Sequence, residues 1–149
     1  MLHYDAPLSK GADNVRSVGS VNANATTPLR GWVNYCMFGL AGIPGTEATV
    51  VWLISSVAAL GTSSAQTVRP SNDVSGFPAA SAASRDTYTV DPSFGNTHYR
   101  KVMNMRTSWE WYAPPGGELV WPATASNGFI LNYSAASTNA AGCTFHIWE

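Results

Sequence analysis

The 149-residue sequence has little charge, since Asp, Glu, Lys and Arg together make up only 11% of it, where roughly a quarter is usual. Its eight Lys and Arg residues are scattered, whereas a nucleic-acid-binding surface needs clustered positive charge. No apolar run reaches the roughly 18 residues of a membrane-spanning helix. Disordered chains are poor in aromatic residues, but this chain has 11%. We therefore expect one globular domain with neither a nucleic-acid nor a membrane partner.

We expect neither a leader segment nor a catalytic motif in this sequence. Its first residues have neither the basic nor the apolar region of a signal peptide, so we expect folding in the cytosol. Only two cysteines are present, Cys36 and Cys143; buried reduced thiols are expected there, while a disulfide stays open. No nucleotide-binding, zinc-protease or serine-hydrolase motif occurs, and no histidine spacing nominates a metal site. We therefore expect a protein that is not an enzyme and has no cofactor.

What the sequence does contain is a series of short stretches rich in β-branched and aromatic residues, separated by turn residues. Such stretches indicate about eight short strands and no helix. In the last one, Cys143, Phe145 and Ile147 share one face, and the residues between them share the other. The pattern predicts an all-β fold, a β-sandwich or jelly roll.

Two segments do not follow this pattern. Residues 1–14 show no period and contain Pro7 and Gly11, so we expect an extended N-terminal arm that precedes a single sandwich domain at 15–149. Residues 61–85 are rich in Ser, Ala and turn residues and are expected to form a long excursion. Loops of that length inside a domain are usually functional or form interfaces.

The candidate chemistry lies around a Pro-Pro-Gly-Gly turn. Trp109 and Trp111 share one strand face before the turn, and Trp121 follows it. Such side chains fill cores, stack on sugars or anchor subunit interfaces. Glu110 and Glu118 flank the same turn. Paired carboxylates can support glycoside hydrolysis, but a glutamate beside a hairpin turn is usually solvated or paired with a cation.

Residues 108–128, which read SWEWYAPPGGELVWPATASNG, resemble a pattern in small virion proteins of tailed bacteriophages. The segment from Thr27 to Trp32 and the alternating strand that ends at Glu149 fit the same pattern. The resemblance is best over 107–149. It implies a capsid decoration (cement) protein on the outer surface of the virion, with no catalytic residue or cofactor. Its partners would be the major capsid protein and itself, as a homotrimer.

On this interpretation, the arm binds the capsid by adding a strand to a neighbouring sheet edge, through Leu2, Tyr4, Pro7 and Leu8. The oligomer or capsid interface is expected at Arg69, Phe77, Trp111 and Trp121. Two alternatives stay open. One is a phage tail or neck subunit, and the other, from a different class, is a carbohydrate-binding β-sandwich module.

Overall fold

The computed structural model describes residues 2–11, 13–41, 48–71 and 78–149. All regular structure in these ranges is strand, and no helix there is long and apolar enough to span a membrane. The strands are β1 (His3–Lys10), β2 (Val15–Asn22), β3 (Gly31–Leu40), β4 (Thr49–Val57), β5 (Thr62–Gln66), β6 (Arg69–Pro70), β7 (Ala83–Val90), β8 (Phe94–Asn104), β9 (Trp109–Tyr112), β10 (Leu119–Trp121), β11 (Gly128–Ser137) and β12 (Ala141–Trp148).

The strands form two antiparallel sheets. Sheet A has the order β10-β3-β12-β1-β6, with β9 also paired to β3, and sheet B has the order β5-β7-β2-β11-β4-β8. The predicted all-β sandwich is confirmed. The described residues contain twelve strands rather than about eight, because β1, β5 and β6 lie in segments that the sequence pattern did not mark as strands.

Aromatic rings join the two sheets through the core. The Phe38 ring from sheet A lies 5.0 Å from the Trp52 ring of sheet B, and Trp52 lies 4.7 Å from Tyr133 on the neighbouring strand. All three side chains are buried. Tilted ring contacts of this kind stabilise by about 0.5–1.5 kcal/mol beyond the burial of area. These rings therefore fix how the sheets face each other.

The predicted N-terminal arm is wrong, because residues 3–10 are a strand inside sheet A. β1 pairs with β12 from His3 opposite Trp148 to Lys10 opposite Ala141. Its other side meets β6 only at Tyr4 and Asp5. An unpaired strand side tolerates proline, which explains why Pro7 does not break the strand.

The predicted excursion at 61–85 is also wrong in part. β5 adds an edge strand to sheet B, β6 adds a short one to sheet A, and β7 begins at Ala83. Polar residues obscured β5, since an edge strand has little apolar surface to bury. Residues 72–77 lie outside the described part of the chain.

A buried carboxylate ties the two sheets together where β1 is unpaired. Asp86 of β7 accepts hydrogen bonds from the backbone N–H of Ser9 at 2.9 Å and from its hydroxyl at 3.2 Å. It also accepts from the Gln66 amide at 2.7 Å and the Thr87 hydroxyl at 3.0 Å. A buried charge is tolerated when its lone pairs are satisfied in this way. Asp86 thus accepts the hydrogen bond of the Ser9 backbone N–H, which a carbonyl of a further strand would otherwise accept.

β9 and β10 act as one interrupted edge strand. Both pair with the same side of β3, β9 at Tyr35–Phe38 and β10 at Gly31–Val33. The Pro-Pro-Gly-Gly segment turns between them, with Gly117 N–H donating to the Pro114 carbonyl at 2.7 Å. Gly116 adopts a φ of 76°, which glycine adopts without steric cost. The residues before the turn and those after it therefore lie along the same edge of sheet A.

Cys36 and Cys143 are buried free thiols on the inner face of sheet A. Burial raises the pKa of both thiols well above the ordinary value of 9.0. In the unfolded chain they ionise near that value, so the folded state holds more protons at higher pH. The linkage relation then gives a free energy of unfolding that falls as pH rises above about 9.

We therefore expect the urea midpoint to hold constant up to about pH 8 and to decline above about pH 9. A Cys36→Ala, Cys143→Ala variant should show a shallower decline, even though its stability at neutral pH is lower. Urea titrations of both proteins across this range test the prediction. Equal slopes in the two proteins would refute the assignment to the thiols.

Candidate interaction face

The outer face of sheet A arises from the alternation of β12. Cys143, Phe145 and Ile147 are buried in the core, as the sequence pattern predicted, and the residues between them point away from it. Neighbouring strands extend this face, since residues in register share a side of the sheet. Those in register with His146 and Trp148 are His3, Asp5, Trp32 and Tyr35.

A contact with a carboxylate orients the histidine at the centre of the face. His146 Nδ1 lies 2.7 Å from Asp5 Oδ1, and both side chains are about one third exposed. The Ser71 hydroxyl donates to the same carboxylate oxygen at 3.0 Å. A histidine whose Nδ1 is held by a carboxylate has its ring orientation and its other nitrogen fixed. The sequence did not reveal this pair, because its members lie near opposite ends of the chain.

Tyrosines continue the row beyond the histidine. The Tyr35 ring lies 4.6 Å from the His146 ring and 4.5 Å from the Tyr112 ring. Tyr112 donates its hydroxyl hydrogen to Glu110 Oε2 at 3.1 Å. Partial burial, the Glu110 carboxylate and the Tyr112 hydroxyl raise the pKa of Tyr35 to about 12. Tyr35 therefore stays protonated at neutral pH and keeps a hydrogen to donate.

A second row crosses the face beside the first. The His3 ring lies 4.9 Å from the Trp148 ring. Trp148 is in register with Trp32, and Trp32 is in register with Val120 of β10. Rings and carboxylates thus cover one end of the outer face. Small residues cover the other end, where Gly142 is opposite Gly39.

Apolar side chains are exposed where the outer face meets the β9 and β10 edge. Three of them are 43% to 65% exposed, and we call them the edge patch: Met37, Tyr112 and Val120. Trp109 is 41% exposed but is in register with the buried Phe38, so it lies on the inner side of the same sheet edge. Lys101 Nζ from β8 lies 3.3 Å from the centroid of the Trp109 ring, a cation–π contact that covers part of that indole. Tyr and Met, which the edge patch contains, are residue types enriched at protein interfaces.

The structure separates the three tryptophans that the sequence grouped around the turn. Trp121 is 1% exposed and belongs to the core, so its predicted interface role is wrong. Trp111 is partly buried and packs against the core, 6.0 Å from the Tyr99 ring. Trp109 is the one of the three at the surface. Glu110, one of the two glutamates that flank the turn, accepts a hydrogen bond from the Tyr112 hydroxyl.

The predicted capsid-binding residues of the arm also differ in whether they are buried or exposed. Tyr4 and Leu8 are buried in the core, which is incompatible with a capsid contact, and Leu2 packs against the core. Pro7 is exposed on the outer face. Arg69 is in register with Asp5 at the β6 edge, and Phe77 lies outside the described residues.

The described residues contain no cluster of three or more His, Cys, Asp or Glu side chains arranged to hold a metal ion. No protein-family model, curated protein or solved structure matches this chain.

Proposed function

We propose that this protein is a noncatalytic structural subunit of a tailed-phage virion, a decoration protein that binds the outer capsid lattice and stabilises the head. The observation that carries the proposal is the edge patch. Soluble monomers rarely leave several large apolar side chains exposed on one face of a sheet edge unless another surface covers them. Tyr and Met are residue types enriched at such contacts.

The position of the patch supports the same function. Residues 108–128, which resemble phage virion proteins, include both β9 and β10. These strands contribute Tyr112 and Val120 to the patch. Two of the three patch residues therefore lie in the part of the chain that carries the resemblance. The partner of this surface in the proposal is the major capsid protein.

The low charge supports a place in a crowded lattice. The formal net charge is −1, with only nine acidic and eight basic residues. Copies with so little charge can pack closely on a shell without strong mutual repulsion. The proposal therefore includes a homotrimer around a threefold axis, which light scattering would detect as a mass about three times 15.8 kDa.

The test compares charges placed inside and outside the edge patch. We expect a Met37→Glu, Tyr112→Glu variant to bind phage heads that lack the protein at least about tenfold more weakly, because an unpaired carboxylate is costly to bury in an interface. The matched control is Val90→Glu, Val102→Glu, which alters two exposed apolar side chains of sheet B. Co-sedimentation with purified heads measures both, after circular dichroism has shown that each variant is folded.

Equal binding by the two variants would rule out the edge patch as the capsid contact. Failure of the wild-type protein to bind heads would rule out the decoration function. If the wild-type protein binds purified tails instead, it is a tail or neck subunit.

A further inference from the structure

A groove of about 480 Å³ opens between the edges of the two sheets. Its walls are the start of β8, the end of β10 and the start of β11. It shares Val120 with the edge patch but contains none of the patch's other residues. Ligand pockets commonly have volumes of about 300–1,000 Å³. The groove is thus large enough for a small molecule.

Three aromatic side chains lie at the floor of the groove: Phe94, Trp121 and Phe129. Trp121 and Phe129 are only 1% and 4% exposed, so of these three rings the one open to a ligand is the partly exposed Phe94. The His98 ring stands edge-on to the Phe129 ring, 5.3 Å away at an interplanar angle of 87°. Because core packing fixes Trp121 and Phe129, the floor is rigid and costs little entropy to pre-form.

The rim of the groove is polar and unpaired. The side chains of Asn96, His98 and Asn127 line it, and none of them makes a hydrogen bond to another described residue. Ser56 also lines the groove, and its hydroxyl makes only a long contact of 3.4 Å with the Asn96 carbonyl. Two amides and an imidazole therefore offer both donors and acceptors to whatever enters.

The lining contains no Asp, Glu, Lys or Arg. A charged ligand would lose hydration there without an opposite charge to replace it. A purely apolar ligand would cover the amides and leave them without partners, which is also costly. The ligand that satisfies both conditions is uncharged, carries hydroxyl or amide groups, and has an apolar face.

We propose that this groove binds a neutral sugar, either a monosaccharide or the end of a short neutral oligosaccharide. The apolar face of the pyranose ring lies against Phe94, and its hydroxyls pair with Asn96, His98 and Asn127. This binding does not depend on the capsid contact. It places sugar recognition away from Trp109 and Trp111, with polar partners that the sequence did not single out.

The test is a titration of the full-length, ¹⁵N-labelled protein with methyl glucoside, methyl galactoside and N-acetylglucosamine. We expect at least one sugar to cause saturable shifts in the amide resonances of Asn96 and Phe129 and in the Trp121 indole resonance. His98→Ala and Asn127→Ala should each weaken that binding by about tenfold, a loss typical of buried polar partners. Glucuronic acid should bind more weakly than the neutral sugars.

His3→Ala is the matched control, because it removes a histidine from the outer face of sheet A and leaves the groove intact. It should bind like the wild type, and an unchanged Trp121 indole resonance in each free variant would show that the groove is folded. The proposal is overturned if no neutral sugar shifts the groove resonances. It is equally overturned if the shifts map to Trp148 and Tyr35, or if binding survives both groove substitutions.

Discussion

Removal of residues 1–10 is expected to abolish folding of the domain. β1 pairs with β12 over its whole length, and the backbones of Leu2 and Glu149 exchange hydrogen bonds of 3.0 and 3.1 Å. The deletion removes the buried side chains Tyr4 and Leu8. Burial of each large apolar side chain stabilises by about 1.5–3 kcal/mol, against a typical total of about 5–15 kcal/mol.

The deletion also removes interactions other than the burial of these apolar side chains. Without Ser9, the buried Asp86 carboxylate loses two of its hydrogen bonds, and an exposed β12 edge is left without a neighbour. Leu8 also packs directly on β2, since a Cβ built on Gly19 would lie 2.5 Å from the Leu8 Cβ. The gap left by Leu8 would therefore lie between the sheets.

Circular dichroism and the dispersion of an NMR spectrum would measure the effect. The truncated chain should show neither a cooperative thermal transition nor dispersed amide signals. Addition of a separate peptide that spans residues 1–11 should restore both, because it supplies the missing strand. A truncated protein that unfolds cooperatively at the wild-type temperature would contradict the central role of β1 and support a peripheral arm.

Trp121→Ala is expected to cost about 4 kcal/mol of unfolding free energy, within the range for removing a large aromatic side chain from a core. The Trp121 indole N–H donates to the Leu29 carbonyl at 3.1 Å. Its ring occupies the space above Gly31, where an added Cβ would lie 2.1 Å from a ring carbon. Neither the Leu29 carbonyl nor Gly31 has a side chain that could fill the space left by the ring, so a cavity would remain.

Trp109→Ala is the control for this substitution, because it makes the same chemical change on a neighbouring strand at an exposed site. We expect a cost of about 1 kcal/mol or less, mostly from the lost contact with Lys101. Urea unfolding followed by circular dichroism measures both variants. Should Trp121→Ala not fold, Trp121→Phe provides the comparison and should still cost more than Trp109→Ala. The reverse order of stabilities would place Trp121 at the surface.

The strands predicted most accurately are those whose own residues carry the signal. The local sequence predicts strands at 15–21, 31–39, 48–57 and 143–149, each within two residues of the observed bounds of β2, β3, β4 and β12. Their β-branched and aromatic residues, or their strict alternation, identify a strand from local sequence. In β12 the same alternation also separated the core-facing from the outward-facing side chains.

β1 was missed although Tyr4, Ala6 and Leu8 alternate as a strand should. Pro7 interrupts that pattern, and proline is acceptable there because no strand of the described residues pairs with that side of β1 beyond Asp5. Similarly, the sequence grouped Trp109 and Trp121 around one turn. Whether each is exposed depends on what lies against it, and the groups that cover Trp121 include Phe129, 6.5 Å away on another strand.

Composition and the alternation of residues two apart are enough to predict an all-β fold, its low charge and the inward face of its last strand. They do not predict that the N-terminus is a core strand, that Asp5 meets His146, or that a neutral groove opens beside Trp121. Each of these depends on which distant strands become neighbours in a sheet or face each other across the core. The order of residues along one strand does not specify which distant strand it will pair with.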